Sequence, residues 1–123
     1  MNQIVMKPWG MEIWLINTDL YCYKMLLCVH RRWSSNGRYH YHMKKDETFY
    51  VVKGNLELDI SGIKHIVTPQ KRMRVRPYMP HRFRSTSNSC IFYEISTHHD
   101  EYDSIRIPKQ PRKMIENESE GIY

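Results

Sequence analysis

The residues best able to do chemistry lie between Arg38 and Gly54, in the run RYHYHMKKDETFYVVKG. His40 and His42 are two apart. On a β-strand, where successive side chains alternate faces, both imidazoles point one way and Tyr41 the other. Glu47 follows across the polar link Lys44-Lys45-Asp46 and opens a second apolar run, Thr48 to Val52, ended by Lys53-Gly54. Two imidazoles and a carboxylate can therefore converge from neighbouring strands, which is how a protein assembles a metal site from groups that bind weakly one at a time. A fourth candidate, His81, follows Pro77-Tyr78-Met79-Pro80 and heads the alternating run His81-Arg82-Phe83-Arg84, whose parity turns His81 and Phe83 inward. Three neutral imidazoles and one carboxylate leave one or two coordination positions open, as metal catalysis requires. Nitrogen and oxygen ligands without thiolate suit one divalent ion, Mn, Fe(II), Zn, Ni or Co.

These groups must be held by strands. Met11 to Ile16 reads as a first strand after a turn shaped by Pro8 and Gly10, with Trp9 plugging one end of a barrel. Tyr21 to Val29 is long, apolar and rich in β-formers, and reads as a central strand. Arg31 to Gly37 is a polar loop. Arg38 shares a face with His40 and His42 if the strand has begun there; it then binds a substrate phosphate or carboxylate or pairs with a protein carboxylate, and otherwise it is exposed. Leu56-Glu57-Leu58-Asp59-Ile60 alternates apolar and acidic residues and predicts a strand with one wet face. In Arg72 to Arg76 the alternation sends Met73 and Val75 inward and the arginines outward, and Cys90 to Thr97 is a last long strand. His98-His99 reads as a surface turn, since adjacent strand residues face opposite ways. Turn signals every 8 to 12 residues or so, with no sustained helical period, predict an all-β barrel or jelly roll forming a single domain. The barrel is expected to span residues 1–107, with residues 108–123 as a polar tail.

The spacing H-x-H-x4-E-x6-G, with the later P-x2-P-H-x-F, resembles the cupin superfamily across about residues 6 to 107. The resemblance implies a cupin jelly-roll barrel in which His40, His42, Glu47 and His81 bind one divalent metal. The glycine that cupins place six residues before the first His is Ser34 here, and the usual glycines of the second motif are Gln70 and Tyr78. These departures touch turns rather than ligands. The run Lys7-Pro8-Trp9-Gly10 with Glu12, and the string EISTHHDE, look like cupin domains of the mannose-6-phosphate isomerase and mannose-1-phosphate guanylyltransferase group. That likeness implies a sugar or sugar-phosphate isomerase or epimerase in which the metal polarises a carbonyl and hydroxyl pair while a base moves a proton. Tyr50, Tyr93 and Glu94 are the candidate bases, and at most one of Tyr93 and Glu94 faces the cavity. Arg38 and Phe83 are the candidate substrate-binding residues. Two other readings remain open, a metal-dependent dioxygenase and a non-catalytic module binding a carbohydrate or nucleotide sugar.

Composition narrows the setting. A chain of 123 residues with 41% hydrophobic residues supports one modest core. A net charge of +6 and a pI near 9.3 could suit nucleic acid, a membrane surface or an anionic small molecule, and read best as a solvated barrel surface; the partner expected is a small molecule, a sugar or anionic sugar derivative. No nucleic-acid motif accompanies the basic residues, so nucleic acid is not expected. No apolar run approaches a membrane span, and the start MNQIVMKPWG lacks a signal-like stretch. Three cysteines without C-x-x-C spacing suit a reducing, cytoplasmic setting and buried places in strands. Exposed sheet edges predict a homodimer.

Overall fold

The computed structural model describes residues 3–108, so the expected C-terminal tail lies, apart from Pro108, outside the described residues. Among the described residues there are eleven strands: β1 Gln3–Lys7, β2 Gly10–Asn17, β3 Cys22–Val29, β4 His40–Tyr41, β5 Glu47–Lys53, β6 Leu56–Ile60, β7 Ile63–Val67, β8 Arg72–Val75, β9 His81–Ser85, β10 Ser89–Ser96 and β11 Ile105–Arg106. They pair antiparallel in two sheets, ordered β1-β2-β3-β10-β5-β8 and β11-β4-β9-β6-β7. This is the all-β, single-domain jelly roll that the alternating pattern predicts. Among the described residues no helix is long and apolar enough to cross a membrane.

The core lies between the sheets. In β3 the side chains of Cys22, Lys24, Leu26 and Cys28 are buried and the intervening four are half-buried, a strict period of two. Phe49, Phe83 and Phe92 pack edge-on or tilted at 5.3 to 5.9 Å, and Trp9 closes one end against Phe83 at 5.1 Å. All three cysteines are buried and free. Gly10 is required where β2 crosses β3, since a Cβ there would lie 1.7 Å from the Leu27 carbonyl oxygen. Ser61 and Gly62, both at positive φ, make the two-residue turn that joins β6 to β7.

Two expectations change. The first strand is β1, an edge element before the one predicted; its pattern of Ile4 and Met6 outward is too short and too exposed to register as a strand. The acidic face of β6 is not wet. Glu57 and Asp59 are buried because register places Arg84 and Arg82 of β9 directly opposite them. Arg82 Nε donates to Asp59 Oδ2 at 3.0 Å, Arg84 donates to Glu57, and both guanidiniums stack on Trp33.

On the outer face of the larger sheet, register lines up three cross-strand rows. They are Met6–Met11–Leu27–Ile91–Lys53, Ile4–Ile13–Met25–Tyr93–Tyr50–Arg72 and Ile16–Tyr23–Ile95–Thr48–Arg74.

Candidate metal centre

Strand pairing brings distant residues to one end of the barrel. His40 on β4 sits opposite His81 on β9, and His42 follows two residues on, just past the end of β4. Glu47 opens β5 in the other sheet, opposite Val75 and Ser96. The ring centroids of His40 and His81 are 4.2 Å apart, those of His40 and His42 5.3 Å, and those of His42 and His81 5.6 Å. One nitrogen from each ring lies within 4.8 Å of the others. Glu47, fully buried, reaches the same point: Oε1 is 3.0 Å from His81 Nε2 and Oε2 is 3.2 Å from His42 Nε2.

Hydrogen bonds fix which nitrogens face inward. His42 Nδ1 lies 2.9 Å from the Asp103 carbonyl oxygen and His81 Nδ1 2.9 Å from that of Met79; a carbonyl only accepts, so both Nδ1 atoms carry the proton. In the neutral rings both Nε2 lone pairs then face the Glu47 carboxylate. Lone pairs aimed at an anion repel it unless a cation lies between them, and outward N–H groups tied to carbonyls are the usual support of metal-ligating histidine. His40 Nδ1 is buried without a hydrogen-bond partner, and Glu47 Oε2 accepts no hydrogen bond. The four residues therefore fit a divalent cation. Without one, burial disfavours charge on His81, yet Glu47 outweighs it and holds His81 above its usual 6.5. Burial, reinforced by His81, holds His40 well below that value. Glu47 stays well below the carboxylate range: burial opposes this, and Lys45 and His81 prevail.

Asp103 positions this end of the barrel. Its carboxylate accepts from the backbone N–H groups of Met43, Lys44 and Lys45 at 2.8 to 3.2 Å, while its carbonyl holds His42. Burial pushes its carboxyl up, but those three donors keep it below 3.8, so its stabilisation is present above pH 3.8 and lost as pH falls through the lower folded value. Asp103→Asn is expected to weaken metal binding about 10- to 100-fold, by loosening the loop between His42 and Glu47. Metal titration by calorimetry checks this, and unchanged affinity would refute it.

Above the imidazoles lies a polar cavity of about 320 Å³. Lys45, buried, forms ion pairs with Glu94 and with Glu47, the latter at 3.6 Å, and its Nζ is 2.9 Å from His99 Nδ1. Lys24, also buried, lies over the Trp14 ring and 3.5 Å from Glu12 Oε1. Arg38 is exposed on the cavity lining, after the turn Ser34–Gly37, in which Ser35 and Asn36 take left-handed backbone. Phe83 lines the cavity, but its ring belongs to the aromatic core.

Of the three candidate bases, Glu94 alone faces this space. Tyr50 and Tyr93 are corrected: they lie directly opposite each other on the outer face of the sheet, where Tyr93 stacks on Tyr23, because strand parity sends them away from Glu94 and Phe49. His99 is corrected too: although it sits in a turn, its ring enters the cavity. Lys45, Lys24, His99 and Asp103 were missed as site residues. Parity carried a signal for the first, since Lys45 shares a face with Glu47 and Phe49, and Lys24 interrupts an otherwise apolar inward row. The non-glycine residues of the second motif, Gln70 and Tyr78, adopt φ of 68° and 65°, so the turns keep the left-handed backbone that glycine would supply.

Residues 30–96 match the protein family described as Cupin domain. No curated protein sequence matches the chain. Among solved structures, KdgF from Halomonas sp. is similar at 15% identity over 83% of this chain and 89% of that one, with a TM-score of 0.71. Streptomyces PAC13 with uridine is similar at 10% identity, 92% and 90% coverage and a TM-score of 0.75; Pac13 is described as a nucleoside dehydratase. The capsular polysaccharide assembling protein CapF from Staphylococcus aureus aligns at 16% identity over 87% of this chain but 32% of its own, with a TM-score of 0.72. At these identities the likeness concerns the fold.

Proposed function

The chain belongs to the cupin family, and on that premise we propose that it is a metal-dependent enzyme, an isomerase or epimerase of a sugar or sugar phosphate. The observation that carries this reading is the inward carboxylate of Glu94, outside the imidazole cluster and held by Lys45 in the same polar cavity as the three converging imidazoles. His40, His42 and His81, with Glu47, would hold the metal. Bound there, a divalent ion supplies Lewis acidity to a carbonyl and hydroxyl pair.

The chain's own groups do the rest. Burial raises the Glu94 carboxyl, but Lys45 outweighs it and keeps the group below 4.5, hence ionised at neutral pH. An ionised carboxylate in this position can take the proton from the carbon beside a carbonyl and return it to a neighbouring atom. Lys45 Nζ keeps Glu94 oriented, and His99 holds Lys45 in place. Arg38, Lys7 and Arg106 supply cations to the cavity lining for a phosphate or carboxylate. The likeness to a capsular polysaccharide assembling protein and to a nucleoside dehydratase seen with uridine supports a carbohydrate-bearing small molecule. Three free buried cysteines support a reducing, cytoplasmic setting.

The test is turnover in D2O. Protein loaded in turn with Mn, Fe(II), Zn, Ni and Co is incubated with a panel of aldose and ketose phosphates and sugar acids. Deuterium appearing at the carbon beside the carbonyl, read by NMR, is the expected result. A panel left unchanged while a control isomerase turns over sinks the proposal. Oxygen uptake by the Fe(II) form would point to a dioxygenase instead, and ligand binding that survives His42→Ala without turnover to a binding module.

A further inference from the structure

The connection from β3 to β4 concentrates left-handed backbone. Of the seven non-glycine residues with positive φ among the described residues, four lie in it: His30, Arg31, Ser35 and Asn36, at 53° to 58°. Such backbone is costly for a residue with a Cβ and persists only where surrounding contacts hold it. The same connection puts Ser34, Ser35, Asn36 and Arg38 on the cavity lining. Its hold comes from the far side of the smaller sheet. The guanidiniums of Arg82 and Arg84, outward on β9, lie 4.1 and 4.4 Å from the centre of the Trp33 ring. Arg82 Nη1 donates to the Gly37 carbonyl at 2.9 Å. Its Nε donates to Asp59 Oδ2, the atom that also accepts from the Tyr39 hydroxyl at 2.6 Å. Next along the strand, the backbone N–H of Phe83 donates to Ser34 Oγ at 3.0 Å.

Arg38 thus sits between Gly37 and Tyr39, both tied to one guanidinium. From this we infer that Arg82 is a positioning residue: from outside the barrel it latches residues 33–39 over the cavity and so fixes Arg38 where it meets the anionic group of the substrate. The inference rests on the reading of Arg38 as the group that takes a phosphate or carboxylate, and not on which reaction follows. Pairing with Asp59 needs only one N–H, and Arg82 gives it Nε. The other two features of the guanidinium, a second donor and a flat face, both go to the loop, on Gly37 and Trp33. Lysine at this position would keep the cation beside Asp59, but a single ammonium cannot bond two acceptors in that fork and stack on a ring as well.

Inorganic phosphate is the probe, titrated by calorimetry into the full chain as purified. Arg82→Lys is expected to raise the phosphate Kd about 10-fold, as follows if the segment is then seated in about a tenth of the molecules. Trypsin cleavage after Arg38 should speed up in the folded variant, and bound metal, read by elemental analysis, should stay the same. Trp33→Leu keeps the pair between Arg82 and Asp59 and should shift both readings the same way; it stands in if Arg82→Lys fails to fold by circular dichroism. Neither change alters the net charge, so a weaker affinity does not come from the overall field. Arg38→Gln should weaken phosphate binding at least as much, and adding Arg82→Lys to it should cost nothing more. If Arg82 served the sheet alone, its variant would unfold at lower temperature with phosphate affinity and cleavage after Arg38 as in the wild type, and that result overturns the inference. So does a wild-type chain that takes up no phosphate at millimolar concentration, or a double variant in which the two losses add. Phosphate binding that depends on Arg82 in a chain that turns over no sugar would remove the isomerase reading and leave this one standing.

Discussion

Glu94→Gln is expected to lower turnover by about 10²- to 10⁴-fold, the usual contribution of a positioned base, while the protein still binds its metal. The substitution keeps the shape of the side chain and leaves an amide oxygen to accept from Lys45, but it removes the lone pair that takes a proton. Glu94 is not among the groups that meet at the imidazoles; it stands on β10, opposite Lys24 and Phe49, and reaches the cavity beside Lys45. Elemental analysis and steady-state kinetics together separate the two roles. Loss of metal along with activity would make Glu94 a support of the metal site. Full activity would remove it as the base and leave none of the three sequence candidates, because Tyr50 and Tyr93 lie on the outer face.

Lys45→Met is expected to cost about 3–5 kcal/mol of stability in metal-free protein, because it strands two buried carboxylates, Glu47 and Glu94, with a shared cation removed. Asp46, next to it, pairs with Arg74 at the surface, and breaking that exposed, solvent-screened pair should cost far less. The contrast is burial: the Lys45 side chain is 3% exposed and that of Arg74 54%. Combining Lys45→Met with Glu94→Gln should return most of the loss, since the second change neutralises one of the stranded charges. Urea unfolding of the single and double variants measures the coupling. If the two losses simply add, Lys45 and Glu94 do not depend on each other and the buried pair is not what holds this part of the cavity.

Much of this was legible in the chain because strand parity is local. A period of two needs only neighbouring residues, so the sequence sends His40 and His42 the same way, turns His81 and Phe83 inward and places the β8 arginines outside. The same rule excludes one of Tyr93 and Glu94 from the cavity, though not which one, since an apolar strand such as β10 offers no polar face to orient it. β6 shows the opposite failure. Its alternation is visible, but a buried acidic face and a wet one look alike until the partner strand is known, and Arg82 and Arg84 lie some 25 residues further along.

By itself, then, the sequence determined the all-β class, the faces of most strands and the small set of nitrogen and oxygen ligands. Tertiary structure alone decided that Lys45, Glu94 and His99 meet, and that Asp103 ties down the loop between His42 and Glu47 from about 60 residues away. The physical reason is the same in each case. Which face a side chain takes is set by its own backbone, whereas what it meets there is set by the register of strands far apart in the chain, and no local pattern encodes that register.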